Sequence, residues 1–251
     1  PPSFALDVPV ERLPEDVREI TDFALLLEEF YRDTKFSLLM PKYVAAYQTA
    51  AMRYGQPSAQ VISDVIAYLH TEPILELPPQ YIPRVTAGGR QGEPLKLANR
   101  ERRFVIMPDL LNASNAVNLR IVRDSYYVLI GPSVDPGDAV RRAFLRFVID
   151  PLMERQVKEV REIGPDLKAL LKSRGDKIDP EYAERSAYFL LSDSLAQAID
   201  VRLDILESLA GQTYKDEQEM KRAIEDANER AIYDMSFAYE RGAVMIYYFY
   251  D

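Results

Sequence analysis

The chain has no cysteine and one histidine, His70. The first absence excludes disulfides and thiolate chemistry. Together the two exclude a zinc site built from the usual sulfur and nitrogen donors and leave only carboxylates, which suit hard cations such as calcium or magnesium. A histidine-based triad would have to be built around His70, which closes an apolar helical run with no orienting motif and reads as a surface or capping residue. No segment approaches the roughly 18–20 uninterrupted apolar residues that a membrane-spanning helix needs, and no charged stretch leads into an apolar one as in an export signal. Basic charge is also scarce. The 31 Lys and Arg stand against 40 Asp and Glu, a formal net charge of −9, which argues against nucleic acid as a partner. Repeats, heptads and low-complexity tracts are missing.

What is there suffices for a core: 251 residues, 47% of them hydrophobic. The chain reads as one domain, 1–251, with N-terminal helices over 14–70, loops and a small sheet over 71–135, and a helical part over 136–251. An extended lead-in, 1–13, precedes a helix opened by Pro14 and acidic residues. Phe36–Tyr54, closed by Gly55 as a C-cap, and Ser58–His70 are the next two helices. Proline and glycine over 71–100 break the helical period, and the Gly-rich run at 88–92 lacks the ending and following helix of a phosphate loop, so it reads as a surface loop. Phe104–Met107, Val117–Val122 and Tyr126–Ile130 are strands. Asp135-Pro136-Gly137-Asp138 caps a helix running toward Arg161. A charged linker over 164–177 follows, Asp179-Pro180-Glu181 opens a long helix to Leu209, and a last helix covers about 215–240. The closing Tyr247-Tyr248-Phe249-Tyr250 is a cluster for docking on the core or for an interface.

One stretch organises the rest. Ala143–Met153 is apolar on every helical face apart from Arg146 and Asp150, which stand four apart and so share a face. An intrahelical ion pair is the plain account. Its cost is the reason to look further, since an unpartnered member of a buried pair loses about 3–5 kcal/mol. Pro151 adds an oddity, because it has no N–H for the carbonyl of Phe147. Asp193 sits among Phe189, Leu190, Leu191 and Leu195 and is the carboxylate that Arg146 could bridge to Asp150.

The segment Phe144-Leu145-Arg146-Phe147-Val148-Ile149-Asp150-Pro151-Leu152 resembles the metal-site helix of zincin-type (gluzincin-like) metallopeptidases, in which His-Glu-x-x-His is followed by Pro-Leu. Arg146 stands at the first His, Phe147 at the Glu and Asp150 at the second His. Nearby segments are similar to those of a group of bacterial, exported zincin-like proteins. Ile130-Gly131-Pro132-Ser133 matches a strand ending in Leu-Gly-Pro-Ser, and Asp193-Ser194-Leu195-Ala196-Gln197-Ala198-Ile199-Asp200-Val201-Arg202 matches a helix whose Glu, here Asp193, is the third zinc ligand. Glu29–Phe36 is also similar to that group.

The resemblance implies an α+β, mostly helical, zincin-like fold, with a small antiparallel or mixed sheet packed on a metal-site-type helix. Its implied degenerate site is Arg146, Phe147, Asp150 and Asp193, with neither zinc nor general base. A peptide-binding edge is implied at Ala116–Val122 or Ser125–Ile130, with Asn118 and Tyr127 on it. Location is implied to be extracytoplasmic, periplasmic or secreted, and the start at Pro1 reads as a processed or trimmed product. The function expected is a catalytically degenerate protein, not a peptidase, that binds a peptide or protein partner. Two alternatives are a hydrolase using a carboxylate-only cation site at Asp150, Asp193 and Glu154, and a helical scaffold.

Overall fold

The computed structural model describes residues 23–78, 81–85, 91–96, 100–175, 178–179, 182 and 184–251. The lead-in and the Pro14 helix start lie outside them, as do 86–90 of the glycine-rich run. Contacts divide the chain into two units, Pro1–Arg53 and Tyr54–Asp251.

In the first unit, helix α1 (Phe23–Asp33) buries no residue. A short 3-10 turn, Phe36–Leu38, follows, and Phe36 stacks on Tyr43 with ring centroids 5.5 Å apart. Helix α2 (Met40–Leu69) begins here and crosses into the second unit. Two helices closed at Gly55 were expected, yet α2 runs through both Gly55 and Pro57. Tyr54, Ser58 and Val65, all buried, keep one stripe facing the core across the break residues, and that burial offsets the hydrogen bond Pro57 cannot give. His70 follows at φ 49°, exposed.

The second unit holds the strands. Strands β1 (Glu76–Leu77) and β4 (Arg100–Glu101) pair antiparallel, as do β2 (Tyr81–Val85) and β3 (Gln91–Lys96). Gln91 and Gly92, expected in a loop, thus belong to a strand. Strands β5 (Arg103–Pro108), β6 (Val117–Val122) and β7 (Ser125–Ile130) form a mixed sheet in the order β5-β7-β6, with β7 parallel to β5 and antiparallel to β6. A two-residue turn joins β6 to β7, with Arg123 at φ 56°. Strand β7 alternates half-buried and buried residues, Tyr126, Val128 and Ile130 facing inward. Gly131 then passes so close to the carbonyl of Ala113 that a Cβ would collide with it, and its own carbonyl accepts the Tyr54 hydroxyl at 2.9 Å.

Helix α3 (Pro136–Arg155) opens as expected, with Asp135 accepting from the Gly137 N–H and Pro136 in the first turn. It ends at Gln156, and a new helix, α4 (Val157–Ser173), occupies most of the expected linker. Val160, Gly164, Leu167 and Leu171 give α4 a buried stripe that its charged residues conceal in a composition count. Helix α5 (Ala187–Leu209) is capped by Ser186, which accepts from the Phe189 N–H, and not by Asp179; Pro180 and Glu181 lie outside the described residues. Helix α6 (Glu217–Arg241) is capped by Asp216. It stops at Gly242, φ 136°, where a Cβ would strike the Tyr182 ring. Helix α7 (Ile246–Tyr250) docks Ile246 and Tyr250 against Ala198, Ala231 and Met235 and leaves Tyr248 exposed.

The fold is α+β and mostly helical. Helix α3 lies between the mixed sheet, through Phe104 and Tyr126, and α5, through Ala196 and Leu203. Cover on both sides is why its sequence reads as apolar all round.

Candidate functional site

Helix α3 carries the site, and Pro151 sets its local chemistry. Lacking an N–H, Pro151 leaves the Phe147 carbonyl without a helical donor. Arg102, buried at 4% exposure, supplies one: its Nη2 donates to Phe147 O at 2.6 Å and its Nη1 to Ile74 O at 2.8 Å. Its guanidinium lies 4.2 Å from the Phe147 ring centroid. Phe147 itself is sunk among Phe104, Tyr126 and Phe144. A residue where the resemblance has a general base is therefore part of the aromatic core.

On another face of α3, Arg146, Asp150 and Asp193 converge. Arg146 Nε donates to Asp150 Oδ1 at 3.1 Å and its Nη1 to Asp193 Oδ1 at 3.3 Å. The side chains are 8%, 6% and 18% exposed. The remaining oxygen valences are also used. Asp150 accepts from the hydroxyls of Tyr126 and Ser192, and Asp193 Oδ2 accepts from Tyr182 Oη at 2.5 Å and Gln197 Nε2 at 2.6 Å. Tyr188 donates to the Asp150 backbone carbonyl at 2.5 Å. Burial opposes the charge on Arg146, but Asp150 and then Asp193 outweigh it and raise its pKa. Burial first, then the adjoining carboxylate charge, pushes the phenols of Tyr126, Tyr182 and Tyr188 up, so they remain donors. Asp150 thus accepts on both oxygens from a guanidinium and two hydroxyls, and has little capacity left for an ion.

A second buried arginine, Arg141, lies on the same helix. It donates to Asp200 at 2.5 Å and Glu207 at 3.0 Å, pairs with Asp204, and reaches Asp138 at 3.4 Å. Arg142 takes the other oxygen of Asp200 at 2.8 Å. Burial lifts the Asp204 carboxyl to about 6 against the pull of Arg141, with Asp200 and Asp138 adding to the rise.

The sites read from sequence divide accordingly. Arg146, Asp150 and Asp193 are brought together, whereas Phe147 turns into the core. Glu154 is exposed one turn beyond Asp150, lining a cleft of about 400 Å³ beside Arg146, between α3, the β6–β7 turn and the start of α5. Tyr127 is not on a sheet edge: β7 is the central strand, bonded on both sides. Asn118 lies on β6, which pairs on one side only among the described residues. No group of three or more His, Asp or Glu side chains placed to hold a metal ion occurs among the described residues, and none of their helices is long and apolar enough to cross a membrane.

Sequence reasoning missed Arg102, the three phenols and the Arg141 cluster. The signals were present, in the lost N–H of Pro151, which called for a donor, and in Asp200, Asp204 and Glu207, spaced along one face of α5. No family model, curated protein or solved structure matches the chain, so the site rests on its own residues.

Proposed function

We propose that this is a catalytically silent, zincin-like protein that binds a peptide or protein segment in the cleft beside Arg146. The observation that carries the reading is that Arg146, at the first of the three positions that the resemblance assigns to zinc ligands, bridges Asp150 and Asp193 at the other two, with a core phenylalanine at the place of the base. Water activation at zinc needs an open metal position and a proton acceptor. Arg146 fills the first and Phe147 replaces the second. The carboxylate-only hydrolase is disfavoured by the same contacts, because Asp150 and Asp193 already share one cation. Strand β6 supports the binding half of the reading, since its Val117, Ile121 and Val122 are exposed and its side away from β7, unpaired among the described residues, can accept an extended segment.

The test exchanges the cation for the metal. In the double variant Arg146→His/Asp150→His, with Asp193 as third ligand, cobalt should give the visible absorption of a tetrahedral site, and zinc should raise the melting temperature. The unaltered protein should take up no transition metal and cleave no peptide pool. A folded double variant that ignores both ions, or stoichiometric metal in the unaltered protein, refutes the reading.

A further inference from the structure

The direction of each backbone group on β6 follows from its pairing with β7. The Gly131 N–H donates to Ala116 O at 2.9 Å, so Ala116 turns its carbonyl toward β7. At the other end a two-residue turn joins Val122 to Ser125, and such a turn closes by a bond between the residues that flank it. Backbone direction alternates along a strand, and both ends agree: Asn118, Arg120 and Val122 bond to β7, whereas Val117, Leu119 and Ile121 turn N–H and C=O outward. No described residue bonds to these outward groups.

The side chains add a second pattern. Val117, Leu119 and Ile121 stand opposite Ile130, Val128 and Tyr126, which face inward, so they extend the apolar row of the inner face. Leu119 packs on the core, but Val117 and Ile121 are 40% and 46% exposed. Ile121 also lines the cleft beside Arg146. On the outer face lie Asn118, Arg120 and Val122. Arg120 is exposed, and no carboxylate among the described residues pairs with it.

An added strand has to satisfy both patterns. Its residues opposite Val117, Leu119 and Ile121 exchange backbone bonds with them and place their side chains on the apolar row. Its residue opposite Arg120 belongs to a pair without such bonds, where side chains stand closest, and there opposite charges attract. Antiparallel pairing is the more stable per residue. The edge offers Val117–Val122, far fewer than the roughly 20–30 residues a side of a stable protein interface, so it fits a strand-length segment and not a second folded copy. A second copy paired about Leu119 would also set Asn118, not a carboxylate, against Arg120.

We infer that β6 takes an extended segment, antiparallel to it, that is apolar at alternate residues and carries an acidic side chain opposite Arg120. This rests on the proposed binding role and adds the ligand's pattern to it.

Calorimetry with the full chain tests it. The probe acetyl-Val-Glu-Val-Thr-Val-amide sets its first valine opposite Ile121, its glutamate opposite Arg120 and its middle valine opposite Leu119. Forms with Gln or Lys in place of the glutamate should bind about threefold and at least about fivefold more weakly. Arg120→Glu should reverse the order, so that the Lys form binds best, without lowering the melting temperature. A methyl group on the middle valine's nitrogen should cost at least about tenfold, because that N–H points at Leu119 O; on the glutamate's nitrogen it should cost less than about twofold, because that N–H points away. Serine in place of the first valine should cost about fivefold. Equal binding of the Glu, Gln and Lys forms, or a preference that Arg120→Glu leaves in place, overturns the inference yet leaves β6 as a peptide edge. Equal loss from the two methyl groups, or no loss from the serine, overturns it as well. Absence of binding by every peptide overturns it together with the binding role, while the metal exchange at Arg146 still judges the silent-site reading separately.

Discussion

Replacing Arg146 by alanine is the most direct test of how the site is held together. Among the described residues, the substitution removes the one cation bonded to Asp150, whose side chain is 6% exposed, and leaves Asp193 with its phenol and amide donors. Losing one partner of a buried pair costs about 3–5 kcal/mol. The hydroxyls of Tyr126 and Ser192 still solvate Asp150, so the loss belongs toward the lower end of that range. At about 2–4 °C per kcal/mol for a chain of this size, a loss of about 3 kcal/mol should lower the melting temperature by about 6–12 °C. Urea unfolding followed by far-ultraviolet circular dichroism gives the free-energy difference directly.

Arg146→Met/Asp150→Asn, which removes both charges, should recover most of the loss, since a neutral replacement of a buried ion pair is often tolerated. A deficit below about 1 kcal/mol for Arg146→Ala, the value of an exposed pair, or a double variant worse than the single, would refute the bridging role.

Two further outcomes follow from neighbouring contacts. Arg102→Met orphans the carbonyls of Phe147 and Ile74 and should cost about 1–3 kcal/mol for each group left buried; adding Pro151→Ala returns an N–H to Phe147 O, so urea melts of the double variant should show recovery of about 1 kcal/mol. Carboxyl carbon NMR should find Asp204 titrating near 6, above its ordinary 3.8. Because its folded value is raised, this group's contribution to stability falls as pH rises from about 4 to 6, and the Asp204→Asn variant should lose that slope.

The legible part of this protein was the conflict within α3. Two charges four apart in an apolar segment, followed by a proline, announce a demand for partners, and Asp193 was readable as one of them because it interrupts another apolar run. The cap at Asp135 and Pro136 was legible for the same local reason. What composition hid was long-range. Gly55 with Pro57, and Gly164 with Pro165, look like breaks, but Tyr54, Ser58 and Val65 in one case and Val160, Leu167 and Leu171 in the other carry a buried stripe across them. Tertiary burial overrode the local breakers. The strand order was not readable either. A hairpin places β6 and β7 side by side, but nothing local to Ser125–Ile130 says that β5 will bond to its other edge and take Tyr127 away from the rim.

The charges of α3 and α5 also explain why these two helices meet in one register. Arg141 bonds to Asp200, Asp204 and Glu207, while Arg146, five residues later in sequence, reaches back to Asp193. Increasing number on α3 meets decreasing number on α5, as antiparallel helices require. Sliding α5 by one turn, about 5.4 Å, would take Asp200 from Arg141 and Asp193 from Arg146 together, leaving two buried guanidinium groups to be recompensed at once. Apolar side chains alone would resist such a slide more weakly, because Leu, Ala and Val on neighbouring turns substitute for one another with less loss. Arg146 therefore does two things with one set of bonds: it occupies the carboxylates of Asp150 and Asp193 and helps lock the pair of helices α3 and α5.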